Sequence, residues 1–264
     1  MSKNQSVWEG GQAYEPYVGR WSRPVARDFL DWLAIAPGAA WLDVGCGTGA
    51  LTETVVARAD PGRILGVDPA PGFLSVAREQ VQDPRVDFAE GNAGSLPLED
   101  GDFDVVVSGL VLNFVPDLAA GLQEMRRSVR KGGTIAAYVW DYAGKMELMR
   151  YFWDAAVALK PADRDMDEAV RFPVCNPDAL TEKFESAGLT QVATTALDIP
   201  TRFVDFDDYW TPFLGGQFPA PDYAMALSQT DRDRLRDRIQ GMLPVNADGS
   251  IDLIARAWAV RGLR

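Results

Sequence analysis

The chain has 264 residues, 47% hydrophobic and 24% charged, enough for one α/β domain with an elaboration and a sizeable core. A formal net charge of −12 gives no sign of the basic surface that nucleic acids need, so no nucleic-acid partner is expected. Two cysteines and no histidine exclude a disulfide framework and the common zinc patterns, and no metal is expected.

In chain order, Met1 to Gly11 lacks an apolar signal core, and no later run approaches membrane-spanning length. The expectation is a cytoplasmic protein without membrane contact. Tyr14, Tyr17, Arg20 and Trp21 then make an unusually aromatic leader. Ser22 reads as a helix cap with Pro24 in the first turn, and Val25, Phe29, Trp32 and Leu33 share one face.

An apolar strand, Trp41 to Val44, feeds the turn Gly45-Cys46-Gly47-Thr48-Gly49-Ala50. Glycine lets such a turn bring backbone within contact distance of a ligand. The spacing Gly45-x-Gly47-x-x-Ala50 also fits a dinucleotide turn, where a pyrophosphate lies over a helix N-terminus. Asp43 opposes that: at roughly 5 Å and an effective dielectric near 20, its repulsion is about 3 kcal/mol per unit charge. A ligand bearing an ammonium and a sulfonium, as S-adenosylmethionine does, reverses the sign.

A helix over Leu51 to Ala59 and a Pro61-Gly62 turn lead to a second strand, Ile64 to Val67, ending in Asp68. An acid there is placed to accept from both ribose hydroxyls of an adenosine, whichever cofactor carries it. A third strand ends in Glu90-Gly91-Asn92-Ala93, and a fourth runs from about Asp102 to Ser108. Leu118 to Val129 reads as a helix ended by Lys131-Gly132-Gly133, before a fifth strand from Thr134 to Trp140. The alternation predicts a mainly parallel sheet with helices on both faces and ligands at the strands' carboxyl ends.

Beyond strand five, Lys145 to Leu159 is helical with Met146, Met149, Trp153 and Val157 on one face. Strands six (Leu189 to Ile199) and seven (Ile251 to Val260) enclose an aromatic run from Tyr209 to Phe218 and a helix marked by Leu235, Ile239 and Met242. Thr201 to Phe218, with Trp210 and Phe213 in it and Trp140 before it, reads as the cap of an apolar pocket whose rings suit a cationic ligand.

The chain resembles the class I S-adenosylmethionine-dependent methyltransferases, in the type 11 group that includes the ubiquinone and menaquinone C-methyltransferases. Four ordered segments between Ala39 and Trp140 carry the resemblance: LDVGCGTG, GVDPAPGFL, GNAGSLP through FDVVVS, and MRRSVRKGGTIAAYVW. It implies a Rossmann-like α/β fold with a seven-stranded sheet in the order 3-2-1-4-5-7-6, strand 7 antiparallel. Residues 37–264 would form the methyltransferase domain, with 142–188 and 201–248 as substrate-side insertions and 1–36 as a helical lid segment. An exposed edge at strand seven would let a monomer pair as a homodimer.

The resemblance also assigns roles. Gly45, Cys46, Gly47 and Gly49 would line the methionine portion of S-adenosylmethionine, with Asp43 and the Ser108 carbonyl toward its ammonium. Asp68 would hold the ribose, and Pro69 and Phe73 would pack near ribose and adenine. Asn92 and Ala93 would meet the adenine edge, Asn92 standing where relatives usually carry Asp. Tyr14, Tyr17 and Arg20 would meet the methionine carboxylate. Relatives often read Leu-His-His where this chain has Leu112-Asn113-Phe114, so no histidine base exists and Asn113 and Asp141 are the catalytic candidates. The expected chemistry is methyl transfer to a small molecule, driven by alignment. Two other readings stay open on the residues alone: a protein that binds the cofactor without transfer, and a nicotinamide dehydrogenase.

Overall fold

The computed structural model describes residues 18–215 and 218–264. The first helix, α1 (Arg20–Leu33), starts ahead of Ser22, which lies inside it and does not cap it. Its buried face carries Val25, Ala26, Phe29, Leu30 and Leu33, while Trp32 is only half-buried.

Strands and helices then alternate: β1 (Ala40–Val44), α2 (Ala50–Ala59), β2 (Arg63–Asp68), α3 (Pro71–Gln80), β3 (Val86–Glu90), β4 (Phe103–Gly109), α4 (Leu118–Ser128) and β5 (Val129–Trp140). β1 pairs in parallel with β2 and β4, β2 with β3, and β4 with β5. Parallel strands covered on both faces must be apolar throughout, and Trp41 to Val44 are all buried. After β5 come α5 (Glu147–Leu159), α6 (Glu168–Arg171), α7 (Pro177–Ser186), β6 (Thr190–Phe203), α8 (Phe206–Trp210), α9 (Pro219–Ala226), α10 (Gln229–Met242) and β7 (Ile251–Leu263). The seven-stranded sheet has the order β3-β2-β1-β4-β5-β7-β6. β7 runs antiparallel to β5, since Gly132 N–H donates to Arg264 and Asp141 N–H to Arg256.

Two boundaries, one sheet edge and one core residue differ from expectation. Lys131-Gly132-Gly133 lies inside β5, because the Arg264 backbone pairs with Gly132 and Gly133 and holds this stretch in the sheet. β6 runs past Pro200 to Phe203, which an edge strand tolerates because its outer N–H positions need no partner. β7 therefore lies inside the sheet, and the edges are β3 and β6. Met242 is exposed, leaving Leu235 and Ile239 as the buried residues of α10.

Two compact units emerge. Of the described residues, one unit, the sheet unit, comprises Ser22–Val139, Asn176–Leu197 and Ala257–Arg264; the other comprises 18–21 with Trp140–Cys175 and those of Asp198–Arg256. The second has an aromatic core in which Phe152 stacks on Phe213 at 4.6 Å and Tyr209 donates its hydroxyl to the Leu148 carbonyl at 2.8 Å.

Candidate active site

The turn after β1 is held by its own amides. Gly45 and Cys46 N–H both donate to the Val67 carbonyl (2.7 and 3.1 Å), Gly47 N–H to Asp68 Oδ2 (2.9 Å) and Gly49 N–H to Cys46 (2.9 Å). Those four donors are engaged within the protein, so none is left to cradle a pyrophosphate. Gly45 has φ 78°, and a Cβ there would sit 2.5 Å from a Val111 methyl, so no other residue fits without displacing that side chain.

Beneath the turn, Asp43 is fully buried near the carboxyl end of β1. Its Oδ2 accepts from the Thr52 hydroxyl at 2.7 Å, and its Oδ1 is enclosed without a partner among the described residues. Burial pushes its pKa up to about 7, and the Asp68 charge adds to the rise while Thr52 opposes it. A cation beside Asp43 would relieve both penalties. Asp68, 7% exposed, accepts from Gly47 N–H on one oxygen and Ala70 N–H on the other, both at 2.9 Å. Burial raises its pKa and these two amide bonds pull it back. A carboxylate has about four lone-pair positions, so Asp68 can clamp the turn and still accept further hydroxyls.

Around these acids, Phe73 is buried in the first turn of α3, while Pro69 is exposed. Asn92 is exposed and its Oδ1 already accepts from Gly94 N–H at 3.0 Å. Ala93 beside it is half-buried. The Ser108 hydroxyl, fully buried, donates to the Val44 carbonyl at 2.8 Å and ties the end of β4 to that of β1. Leu110 follows with φ 62°, an unusual conformation for a bulky residue, and Asn113 Nδ2 is enclosed without a partner. Cys46 is buried with its thiol pKa pushed up by desolvation, which makes it inert.

The remaining candidates belong to the second unit. Trp140 and Trp210 are buried, and Phe213 is fully enclosed between Phe152, Tyr209 and Trp210. The Asp141 carboxylate accepts from Gly144 and Lys145 N–H at 3.0 Å each, which makes it a turn cap. Arg20 pairs with Asp208 at 2.8 Å. Tyr14 and Tyr17 lie outside the described residues. Sequence reasoning missed Thr52 and Val111, since their roles depend on partners nine and sixty-six positions away. Among the described residues no acid or cysteine cluster could hold a metal, and no helix is long and apolar enough to cross a membrane.

Comparison with known proteins decides the family. Residues 42–137 match a methyltransferase domain model. The demethylmenaquinone methyltransferase of Lysinibacillus sphaericus is 30% identical over 213 residues, covering 74% of this chain and 87% of that protein. The chain belongs to the class I S-adenosylmethionine-dependent methyltransferases. The trans-aconitate 2-methyltransferase of Methylobacterium nodulans is 35% identical over 134 residues, 51% of this chain and 50% of that one. Several further curated relatives match over only about half their own length (48%). In fold, the methyltransferase is similar to phosphoethanolamine N-methyltransferase 2 of Haemonchus contortus, solved with S-adenosylhomocysteine, at 16% identity and a TM-score of 0.63. That likeness covers all of this chain and 61% of the other. Its cofactor is S-adenosylmethionine, and the unpartnered Asp43 oxygen beneath a turn short of free amides fits a cationic ligand.

Proposed function

We propose that this methyltransferase transfers methyl to a small-molecule acceptor by direct displacement, with alignment and exclusion of water replacing a histidine base. S-adenosylmethionine, when bound, supplies a methyl group on a positively charged sulfur. Asp43 offers its unpartnered oxygen to the ammonium, and the Ser108 carbonyl shares that task. Asp68 accepts from the ribose hydroxyls while holding Gly47 and Ala70 in place. Gly45, Cys46, Gly47 and Gly49 supply a wall of backbone, and Pro69 and Phe73 the apolar surface beside ribose and adenine. Asn92 and Ala93 meet the adenine edge; for this, Asn92 exchanges its bond to Gly94 for one to the ring.

On the acceptor side, Asn113 is the positioning donor, since its enclosed Nδ2 has no partner among the described residues. Residues 142–188 and 201–248 supply acceptor-side surface, with Trp140, Trp210 and Phe213 as its aromatic part. The names of the relatives, a demethylmenaquinone and a trans-aconitate methyltransferase, favour a small molecule. The net charge of −12 disfavours a nucleic acid.

The observation that carries this reading is the buried, half-partnered Asp43. Calorimetry with S-adenosylhomocysteine tests the cofactor site, and a panel of acceptors with labelled methyl donor tests transfer. Saturable binding and label in a small molecule are expected. Absence of binding would overturn the reading.

A further inference from the structure

The second unit contains buried donors that have no acceptor among the described residues. They are Arg20 Nε and Nη2, the Trp21 indole Nε1 and the Thr201 hydroxyl. Phe203 connects them. The Arg20 guanidinium lies 4.6 Å from the Trp21 ring centre and 4.7 Å from that of Phe203. The Trp21 and Phe203 rings meet edge-on at 5.8 Å. Thr201 stands two residues before Phe203 on β6 and shares its buried face, at 2% exposure. Only Arg20 Nη1 is held, by Asp208 Oδ1 at 2.8 Å, and the other Asp208 oxygen accepts from Val204 N–H. Buried donors are costly to leave unpaired, so several in one cluster mark a place where a ligand supplies the acceptors.

We propose that Arg20, Trp21 and Thr201 form a binding site for the carboxylate of a small organic acid. The Nε–Nη2 edge of a guanidinium presents two parallel N–H groups, the spacing of the two oxygens of one carboxylate. The flanking Trp21 and Phe203 rings hold the guanidinium plane. The indole and the hydroxyl add donors without adding charge. Asp208 already balances one positive charge, so a monoanion fits here better than a phosphate dianion. Phe203 continues into the aromatic core through Tyr209 at 5.3 Å, which adjoins Phe206 and Phe213. The inference takes Arg20 from the cofactor's carboxylate and gives it to a separate organic acid.

The test titrates benzoate, phenylacetate and decanoate, with benzamide as the neutral control, into the full chain, both unloaded and loaded with S-adenosylhomocysteine. Calorimetry and tryptophan fluorescence are the readouts. At least one acid is expected to saturate the loaded protein, with benzamide at least tenfold weaker. Arg20→Lys keeps the charge and loses the fork, and should weaken that acid at least tenfold. Thr201→Val removes one donor at similar volume, and should weaken it severalfold. Both variants should bind S-adenosylhomocysteine within about twofold of wild type. Two results overturn the proposal: no saturable acid binding, or a tenfold loss of S-adenosylhomocysteine affinity in Arg20→Lys with acid binding unchanged. The second would return these donors to the cofactor. Should Arg20→Lys fail to fold, Thr201→Val and the benzamide comparison decide in the same way. Failure of wild type to bind S-adenosylhomocysteine sinks the methyltransferase site alone, because the unloaded titration still tests the cluster.

Discussion

Two places, one in each unit, bury polar groups of opposite character without partners among the described residues, apart from the scattered donors of Trp41, Asn113 and Arg126 in the sheet unit. In the sheet unit an acceptor, Asp43 Oδ1, is enclosed with no donor, beneath a turn whose amides already serve the protein. In the other, donors of Arg20, Trp21 and Thr201 are enclosed with no acceptor. One deficit calls for a cation and the other for an anion. Ordinary cores leave few such groups unpaired, because each costs about 1–3 kcal/mol. The contrast therefore reads as two requirements placed on ligands, with the aromatic packing and turn caps around them serving the fold.

The hardest blow to the sheet-unit side of this contrast should come from Asp68→Ala. It removes a charged acceptor from the ribose hydroxyls and leaves Gly47 and Ala70 N–H without their partner. The expected loss is about 2–4 kcal/mol, roughly thirtyfold to a thousandfold in S-adenosylhomocysteine affinity by calorimetry. An unchanged titration would show that Asp68 serves the turn only.

Asp43→Asn sharpens the comparison through pH. Burial raises the Asp43 pKa from 3.8 to about 7, so the folded chain binds this proton more tightly than the unfolded chain. The group's contribution to stability is present in full at low pH and is lost as pH rises from about 4 through 7. Without ligand, Asp43→Asn should melt above wild type at pH 8, with the gap narrowing toward pH 5. Ligand binding should run the other way, because the ammonium needs the ionised form. Wild-type affinity for S-adenosylhomocysteine should rise between pH 6 and 8, while Asp43→Asn should stay flat over that range. It should also be about tenfold weaker at pH 8, or about 1.4 kcal/mol. A pH-independent wild type would remove Asp43 from the cofactor.

These acids were legible in the sequence because strand, turn and acid lie within a few residues, and their chemistry follows from local order. The sheet order was equally legible through the resemblance. The misreadings occur where distant partners decide. Lys131-Gly132-Gly133 has the composition of a helix end, yet the Arg264 backbone draws it into β5. Pro200 suggests an end to strand six, yet an edge position lets the strand continue. Arg20 looks like a free cation until Asp208, 188 positions on, is seen to hold one of its nitrogens. Thr201 gives no sequence signal, because its lack of a partner is a property of the packed molecule.

The smallest effect separates ligand-facing groups from groups that only cap. Asp141 stands just after strand five, where an acid invites a catalytic reading, and it is as deeply buried as Asp68. Each oxygen of either acid takes one N–H, but one of those on Asp68 comes from Gly47 in the turn after β1. Both oxygens of Asp141 take an N–H from its own turn, Gly144 on one and Lys145 on the other. A Cβ at Gly144 would fall 2.4 Å from Asp141 Oδ2, so the turn is built closely around this carboxylate. Asp141→Asn keeps one acceptor oxygen and exchanges the other for a donor facing an N–H. It should cost about 1 kcal/mol of stability, read as a lower denaturant midpoint, and leave kcat unchanged once an acceptor is in hand. A large fall in kcat with an unchanged midpoint would make Asp141 a ligand-facing acid. A carboxylate bonded only within its own loop would then no longer be separable from one that also holds the turn after β1.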